Sequence, residues 1–160
     1  MSKPQTGAMD HDAIRQLLET ERRGVLVTVD DEGRPRPTPF CYAASETDGR
    51  LIIHTPIDEK PKGTTAPDEL PRVLDIRARP AVTVLVDHWD EDWKRLAWIL
   101  LRGTARELSP GDPATADERA RAIIALRARY PQYRDHRLES RSMIRIEVDS
   151  VRGWEASPGG

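Results

Sequence analysis

Two lysines in one short loop, Lys60 and Lys62, are the residues whose type and spacing point most directly to ligand chemistry. Lysines make up only four of the 25 basic residues, so a pair two positions apart stands out in this composition. A lysine ammonium is a compact point charge that suits a phosphate group at the end of a strand. The spacing therefore predicts an anion-binding loop, although a solvated loop that carries two lysines by chance explains the pattern equally well.

A strand before this loop, and a helix and a strand after it, are predicted to position the lysines. Leu51 to Thr55 is aliphatic or β-branched around one histidine, and Ala81 to Val86 is almost entirely apolar, as in buried strands. Asp68 can cap the intervening helix, with Pro71 in its third position, where the missing N–H costs no intrahelical bond. This helix places Arg72 directly after the loop.

Few titratable side chains have a spacing that predicts catalysis. His54 lies within an alternating strand with no carboxylate near it in sequence, so we expect a hydrogen-bonded structural histidine rather than a general acid. Its spacing from His88 and His136 matches no metal-ligand pattern. Tyr42 shares a strand face with Thr38 and is a weak candidate for a catalytic proton donor, although packing is the better interpretation.

Composition bounds the class of protein. A chain of 160 residues is typical of one domain, and its net charge of −2 comes from charges of both signs spread along the chain. No polybasic tract is present, so neither nucleic acid nor a membrane surface is an expected partner. Cys41 is the only cysteine, which excludes an internal disulfide. With no signal-peptide pattern at its start, the protein is expected to be cytoplasmic.

Apolar periodicity and breaker residues predict a mainly β protein with flanking helices. The predicted strands are Val25 to Asp30, Arg34 to Ala44, Leu51 to Thr55, Ala81 to His88, Leu96 to Leu108 and Met143 to Asp149. The other predicted helices follow Asp10 and Asp112-Pro113, the second reaching Tyr130 with Ala120, Ile123, Ile124 and Leu126 as its buried side. These elements favour a small antiparallel barrel that is not fully closed. One domain is expected over residues 9–154, with tails at 1–8 and 155–160.

Two further patterns concern the sheet itself. Pro35, Pro37 and Pro39 remove backbone donors from one side of their strand, so that side cannot carry a regular ladder and the sheet should open there. Ser45 to Gly49 is predicted to be a turn, and Gly103 permits a bend or bulge within its strand.

The order and spacing of five segments carry a family resemblance over most of the chain. They are VLVTVDDEGRPRPTPFCYA (Val25 to Ala43), LIIHTPIDEKPKG (Leu51 to Gly63), VLDIRARPAVTVLVDHWDEDW (Val73 to Trp93), WILLRGTA (Trp98 to Ala105) and VRGW (Val151 to Trp154). With these segments the chain resembles the pyridoxamine-phosphate-oxidase-like, split β-barrel flavin-binding superfamily. Within it, the chain is similar to the branch of oxidoreductases that use the deazaflavin coenzyme F420.

The resemblance implies which residues hold the cofactor phosphate. In the family, a strand that ends in a small polar residue and the basic loop after it perform this role. Those positions fall here on His54, Thr55, Lys60 and Lys62. An insertion between the lysines and the helix departs from many relatives, so the resemblance leaves open which lysine makes the main contact. It also leaves open whether Arg72 has taken over part of the role.

The resemblance also implies a six-stranded split β-barrel and a homodimer with two cofactors in grooves at the subunit interface. Trp93 and Trp98 flank the segment that in relatives packs near the cofactor ring across the dimer, and Trp154 matches an aromatic residue on the substrate side. The reduced coenzyme would give a hydride to a small-molecule electron acceptor, which agrees with the lack of any predicted nucleophile.

Alternative functions remain open at this point. Flavin mononucleotide shares the ring, ribityl chain and first phosphate of F420, and only the acidic tail of F420 would favour extra cations such as Arg72, Arg77 and Arg79. A non-catalytic carrier of flavin or haem is a third possibility, with His54 or His88 as the candidate axial ligand of haem. No Ser/His/Asp arrangement, P-loop or dinucleotide fingerprint favours hydrolase, kinase or nicotinamide chemistry.

Overall fold

The computed structural model of the chain describes residues 8–57, 66 and 69–156. The described part contains three α-helices and seven β-strands, with short 3-10 turns between some of them. In chain order these are α1 His11–Thr20, β1 Gly24–Val29, β2 Pro35–Phe40, β3 Ala43–Thr47, β4 Arg50–Pro56, α2 Pro71–Ala78, β5 Ala81–His88, β6 Ala97–Leu108, α3 Ala116–Arg129 and β7 Met143–Glu155. None of the described helices is both long enough and apolar enough to cross a membrane.

All seven strands form one antiparallel sheet in the order β2-β1-β5-β6-β7-β4-β3. This confirms the predicted mainly β class with flanking helices and the antiparallel split-barrel architecture. The sheet has one strand more than the six expected, because the segment predicted as a single strand over Arg34 to Ala44 forms both β2 and β3. These two strands lie at opposite edges of the sheet.

The break between β2 and β3 has a tertiary cause. The backbone N–H of Tyr42 donates to the hydroxyl of Tyr130, 3.1 Å away, and not to a neighbouring strand. The chain therefore leaves one edge of the sheet at Phe40 and joins the other edge at Ala43. The turn predicted from Ser45 to Gly49 was too long, since β3 continues to Thr47 before the chain reverses.

The proline-rich strand lies at an edge of the sheet, as the missing N–H groups of its prolines predict. β2 is an edge strand, and Pro35, Pro37 and Pro39 lie opposite Val29, Val27 and Val25 of β1. The alternate residues of β2 keep their N–H groups and can bond to β1, so the missing donors of the prolines face away from the sheet. The predicted open edge is thereby confirmed.

The bulge predicted at Gly103 is also present. The register between β6 and β7 shifts between Arg102 and Gly103. The backbone of β7 lies so close here that a Cβ atom on Gly103 would be 2.2 Å from the carbonyl oxygen of Glu147. A glycine at this position lets the long strand β6 bend around the core.

Two apolar clusters lie on opposite faces of the sheet. The inner cluster fills the barrel and includes Leu26, Val84, Ile99, Leu101 and Ile146. The outer cluster lies under α3 and includes Ala43, Leu108, Ala122, Leu126 and Met143. In the last strand, apolar residues alternate with Arg145, Glu147 and Asp149, which predicts an inward apolar side and an outward charged side. The inward side is confirmed, because Ile144, Ile146 and Val148 join the inner cluster. That strand continues to Glu155 rather than ending at Asp149.

The two later helices differ from the prediction at their starts and faces. α2 begins at Pro71 itself, with Leu70 as its cap residue, while the predicted cap Asp68 lies outside the described residues. α3 follows a 3-10 turn, Pro113–Thr115, that Asp112 caps. The prediction of its buried side was partly wrong, because Ala120 and Ile124 are exposed. The buried residues are spaced i, i+3, i+4, i+7, as expected for a helix face, and are Arg119, Ala122, Ile123 and Leu126.

Candidate functional site

The predicted phosphate loop lies outside the part of the chain that the structure describes. Lys60 and Lys62 both fall in the gap between residues 57 and 66, so their role stays a prediction. The strand that leads to the loop is described, and Ile57 fixes its end by donating to the carbonyl of Ser142 at 3.3 Å.

His54 and Thr55, both predicted to bind the cofactor, lie on opposite faces of β4. Thr55 pairs with Ile144 of the inner cluster, whereas His54 pairs with Ala43 and Arg145 on the outer face. Each of the two side chains is only 5% exposed. The structure therefore does not bring these two side chains together on one surface.

His54 has a carboxylate partner that the sequence did not reveal. Its Nε2 lies 2.8 Å from Oε1 of Glu118, a residue 64 positions away in the first turn of α3. The same oxygen accepts a hydrogen bond from Nε of Arg145 at 2.7 Å. His54 is thus a hydrogen-bonded histidine, as predicted, but it has the carboxylate partner whose absence from the nearby sequence favoured a structural role.

Burial and charge set the protonation of this pair. Burial lowers the pKa of His54 below its usual value and outweighs the opposing effect of the hydrogen bond that His54 donates to the Glu118 carboxylate. Burial alone would raise the pKa of Glu118, but its hydrogen bonds with His54 and Arg145 bring that pKa below normal. A neutral imidazole and an ionised carboxylate are the expected states at neutral pH, and Nε2–H then donates to Glu118.

A polar pocket of about 300 Å³ opens beside this pair, between β3 and α3. Its lining includes the side chains of Ser45, Thr47, His54, Glu118, Arg121 and Arg145. The prediction missed Glu118 and Arg121, although their spacing of three residues on one helix was a usable signal. Arg145 was correctly placed on the outward face of its strand.

The tryptophans predicted near the cofactor form a second region at the other end of the sheet. Trp98 of β6 lies directly opposite Trp154 of β7, and the two line a groove of about 490 Å³ with Met9 and Arg152. Trp93 is 70% exposed in the 3-10 turn before β6. The structure therefore brings Trp98 and Trp154 together, and it leaves Trp93 on an exposed turn.

These two regions are far apart within one chain. Trp98 is near the start of β6, whereas Leu108 at its end lies opposite Met143, which pairs with Pro56 beside Thr55. Leu108 lies ten residues after Trp98 along β6, and at about 3.3 Å per residue this length of strand spans about 30 Å. A single chain therefore holds the tryptophan pair and the end of β4 at opposite ends of its sheet.

The arginines of α2 are largely engaged by the chain itself. Nε and Nη2 of Arg77 donate to the carboxylate of Glu107 at 2.8 and 3.1 Å, and this contact lowers the pKa of Glu107. Arg79 donates to the carbonyl of Asp31 at 3.1 Å. Arg72 is half-buried in the first turn of the helix. Arg77 and Arg79, two of the cations expected to meet an acidic tail, thus contact other described residues.

Tyr42 lies in the core. Its side chain is 0% exposed, and its hydroxyl donates to the carbonyls of Leu18 and Glu21 at 2.9 and 3.2 Å. Burial raises the pKa of Tyr42 well above its usual value. This placement favours the packing interpretation of Tyr42 over that of a proton donor.

The outer face of the sheet carries an apolar surface that α3 does not cover. Val25, Leu85 and Leu100 are directly opposite one another across three neighbouring strands on this face, and all three are partly exposed. Trp98, two residues before Leu100, continues the same face. We call the surface formed by Val25, Leu85, Leu100 and Trp98 the apolar face. Among the described residues, no group of three or more histidine, cysteine or acidic side chains could hold a metal ion.

Solved structures of related shape support the architecture. Protein Rv2991 from Mycobacterium tuberculosis superposes with a TM-score of 0.72 at 19% identity over 98% of this chain and 91% of that one. An FAD-binding protein from Mesorhizobium loti gives 0.61 at 22% identity over 91% and 93% of the two chains. A haem-binding protein from Mycobacterium smegmatis gives 0.63 at 18% identity over 91% of this chain and 53% of that one.

At these identities the structural likenesses show a shared fold. No curated protein matches the chain. The family model described as pyridoxamine 5'-phosphate oxidase matches residues 10–155, which include all three helices and all seven strands. The chain therefore belongs to the pyridoxamine 5'-phosphate oxidase family.

Proposed function

We propose that the protein is a homodimeric oxidoreductase that binds the deazaflavin coenzyme F420 and reduces a small organic acceptor. The observation that carries this proposal is the separation of the tryptophan pair from the end of β4 by about 30 Å of strand. In a two-fold dimer, the tryptophan end of one subunit can lie against the β4 end of the other. Each coenzyme groove is then completed by both subunits.

The apolar face supports a second copy of the chain as the partner. Its cross-strand row of Val25, Leu85 and Leu100 is flanked by the β2 prolines opposite β1, which offer no backbone donors on their outer edge. A contiguous apolar surface of this kind on a sheet usually marks an interface. Because the surface belongs to the strands that carry Trp98, the dimer contact and the aromatic part of the groove are continuous.

The residues of the chain fit the parts of such a coenzyme. Trp98 and Trp154 offer aromatic surface to a planar ring, and the loop after β4 carries two lysines for a phosphate. When bound, the reduced coenzyme supplies the hydride. The role of the protein is then to fix the depth of the ring through the phosphate contacts and to exclude water with the aromatic wall.

The choice of F420 over flavin mononucleotide rests on the family resemblance and on Arg72. The acidic tail of F420 extends beyond the phosphate that the two molecules share, so it needs a cation past the lysine loop. Of the three α2 arginines, Arg72 is the nearest to that loop in sequence, and we propose it for this contact. It stands at the second position of the helix that follows the loop.

Haem carriage is the second candidate, and the haem-binding protein of the same fold is the observation that favours it. Each predicted axial ligand has one ring nitrogen on a carboxylate. Nε2 of His54 is bound to Glu118, and Nδ1 of His88 lies 2.7 Å from Oε1 of Glu21. Iron would therefore bind through Nδ1 of His54, a residue that is 5% exposed, or through Nε2 of His88, which lies 3.8 Å from Oδ2 of Asp90.

Titration of the purified protein with F420, flavin mononucleotide and haemin, followed by absorption and fluorescence, tests the proposal. We expect F420 to bind most tightly, with a preference that shrinks as salt rises, because the extra contacts are exposed charges. Tighter binding of flavin mononucleotide at physiological salt would contradict the coenzyme assignment. Turnover of an acceptor by the protein with reduced F420 would separate an enzyme from a carrier.

Two variants locate the contacts. Replacing Lys60 and Lys62 together by alanine should weaken the binding of both F420 and flavin mononucleotide by about 2–4 kcal/mol. Arg72→Ala should weaken the binding of F420 more than that of flavin mononucleotide, and so reduce the difference between the two affinities. Arg134→Ala, which removes an exposed arginine after α3, is the matched control and should change neither affinity.

A further inference from the structure

The pocket between β3 and α3 lies away from the tryptophan pair and on the face of β4 opposite to Thr55, and it is lined by His54, which the resemblance assigns to the cofactor phosphate. It lies on the outer face of β4 with His54, whereas Thr55 faces the inner cluster, and the tryptophan pair is at the far end of β6. Glu46 also borders the pocket, but its carboxylate contacts His11 and Arg15 of α1.

Two carboxylates, Glu46 and Glu118, and two arginines, Arg121 and Arg145, line this pocket. Glu118 is already bound by His54 and Arg145 at 2.8 and 2.7 Å. Arg145 also donates to Glu147 at 3.0 Å. Arg121 makes no hydrogen bond or ion pair with any described residue, although its charge is felt at His54. One guanidinium therefore borders a cavity without a partner in the described part of the chain.

The second nitrogen of His54 is also open to a ligand. Glu118 accepts from Nε2–H, so Nδ1 of the neutral ring carries a lone pair. No described residue forms a hydrogen bond with Nδ1. Among the described residues, every buried side-chain nitrogen or oxygen has a hydrogen-bond partner, so Nδ1 is not a buried atom. Nδ1 must then reach solvent, and the pocket that His54 lines provides the opening. An imidazole with a carboxylate at one ring nitrogen and solvent at the other can take up a proton.

We propose that this pocket is a second ligand site that takes a small oxyanion, with Arg121 as the charged donor and His54 as a donor once its Nδ1 gains a proton from solvent. The hydroxyls of Ser45 and Thr47 on β3 supply neutral donors at the same opening. A carboxylate group and a phosphate group offer the same acceptor chemistry, and the volume of about 300 Å³ accommodates either on a small molecule.

Binding at this site is coupled to protonation. The charged groups that face His54 are Glu118 and Arg121 from α3 and Arg145 from β7, while Arg106 of β6 lies 3.9 Å from the same Glu118 carboxylate. In the free protein, burial and the arginines keep the imidazole neutral. A bound anion favours the imidazolium, so affinity should rise as the pH falls from 8 to about 6.

Sulfate and acetate, titrated calorimetrically into the full chain with and without saturating F420, are the probes. Sulfate keeps its charge across this pH range, so any pH dependence belongs to the protein. We expect saturable binding of at least one anion, undisturbed by F420. If sulfate binds more tightly than acetate, the ligand is phosphate-like. If acetate binds more tightly than sulfate, the ligand is a carboxylate. Long-range ¹H–¹⁵N spectra should show Nδ1 of His54 changing from unprotonated to protonated when the anion is added.

Three variants make the result specific. Arg121→Gln should weaken anion binding by about 10- to 100-fold, whereas Arg134→Gln, the matched exposed arginine, should leave it unchanged. His54→Gln keeps an amide N–H for Glu118 and should abolish the pH dependence. Wild-type affinity in Arg121→Gln, a flat pH profile in the wild type, absence of saturable binding, or displacement of the anion by F420 would each overturn the proposal. The first three results leave the coenzyme assignment intact.

Discussion

The guanidinium of Arg129 closes the C-terminal end of α1. Its nitrogens donate to the carbonyls of Leu18, Glu19 and Glu21, which have no partners within the helix. The same group lies 4.9 Å from the centre of the Tyr42 ring. One side chain from α3 thus satisfies the end of another helix and covers a buried aromatic ring.

Arg129→Ala should therefore lower the free energy of unfolding by about 2–3 kcal/mol, because it removes hydrogen bonds from a charged donor to three carbonyls. Urea denaturation followed by circular dichroism measures the change. Arg134→Ala removes an exposed arginine five residues further along and serves as the control. Equal midpoints for the two variants would show that the helix end needs no cap.

His54 makes stability depend on pH. Its pKa in the folded protein lies below the ordinary value of 6.5, so the unfolded chain takes up this proton at a higher pH than the folded chain. Stability should then rise with pH from the folded pKa up to about 6.5. The carboxylate of Glu118 acts in a separate window, because its stabilising contribution is lost only as the pH falls through its own lowered pKa.

Denaturant midpoints measured in anion-poor buffer between pH 5 and pH 7.5 check this expectation. The wild type should lose stability towards pH 5, and His54→Gln should lose less over the same interval. Identical slopes for the two proteins would contradict a depressed histidine pKa.

For single residues, the sequence predicted the position of a side chain better than it predicted which other side chain it contacts. The hydrogen-bonded role of His54 and the outward position of Arg145 could be predicted, because each follows from alternation along a strand. The pairing of His54 with Glu118 could not, since it depends on how α3 crosses the sheet 64 positions later in the chain. The burial of Tyr42 likewise depends on α1 and α3, which supply its carbonyl acceptors and its covering arginine.

Among the elements, β6 depends most on a single backbone position. At Gly103 a Cβ atom would lie 2.2 Å from a carbonyl oxygen of β7, so Gly103→Ala must displace one of the two strands. We expect a loss of about 1–3 kcal/mol in the free energy of unfolding. Gly111→Ala is the control, because a Cβ atom there would meet nothing within 4 Å. Equal stability of the two variants would show that the bulge adapts without cost.

Elements were predictable where local chemistry determines them. An almost continuous apolar run marked β5, and alternating apolar residues marked β7. Prolines marked the edge strand β2, and Gly103 marked the bulge. The division between β2 and β3 was not predictable, because a hydroxyl from Tyr130 takes the N–H of Tyr42. The face of α3 was misjudged because Arg119, which donates to three backbone carbonyls, takes a buried position that apolarity alone would not assign.

On the scale of the whole molecule, the apolar face should be covered by a second subunit. Leu85→Lys places a charge at the centre of its cross-strand row and should shift the protein from dimer to monomer in light scattering. Ile124→Lys changes an equally apolar residue that is 70% exposed on α3 and should leave the mass unchanged. Far-ultraviolet circular dichroism confirms that each variant is folded. A monomeric wild type at micromolar concentration with coenzyme present would contradict the dimer.

The position of β7 has a consequence for synthesis on the ribosome. β3 and β4 form a hairpin by residue 56, but the second partner of β4 is β7, which begins at Met143. Until β7 has left the exit tunnel, the hairpin therefore exposes an unpaired strand edge that can associate with other nascent chains. Contacts of such long sequence separation also slow folding, and the sheet can close only after β7 has been synthesised. A chaperone that shields extended segments would act during this interval.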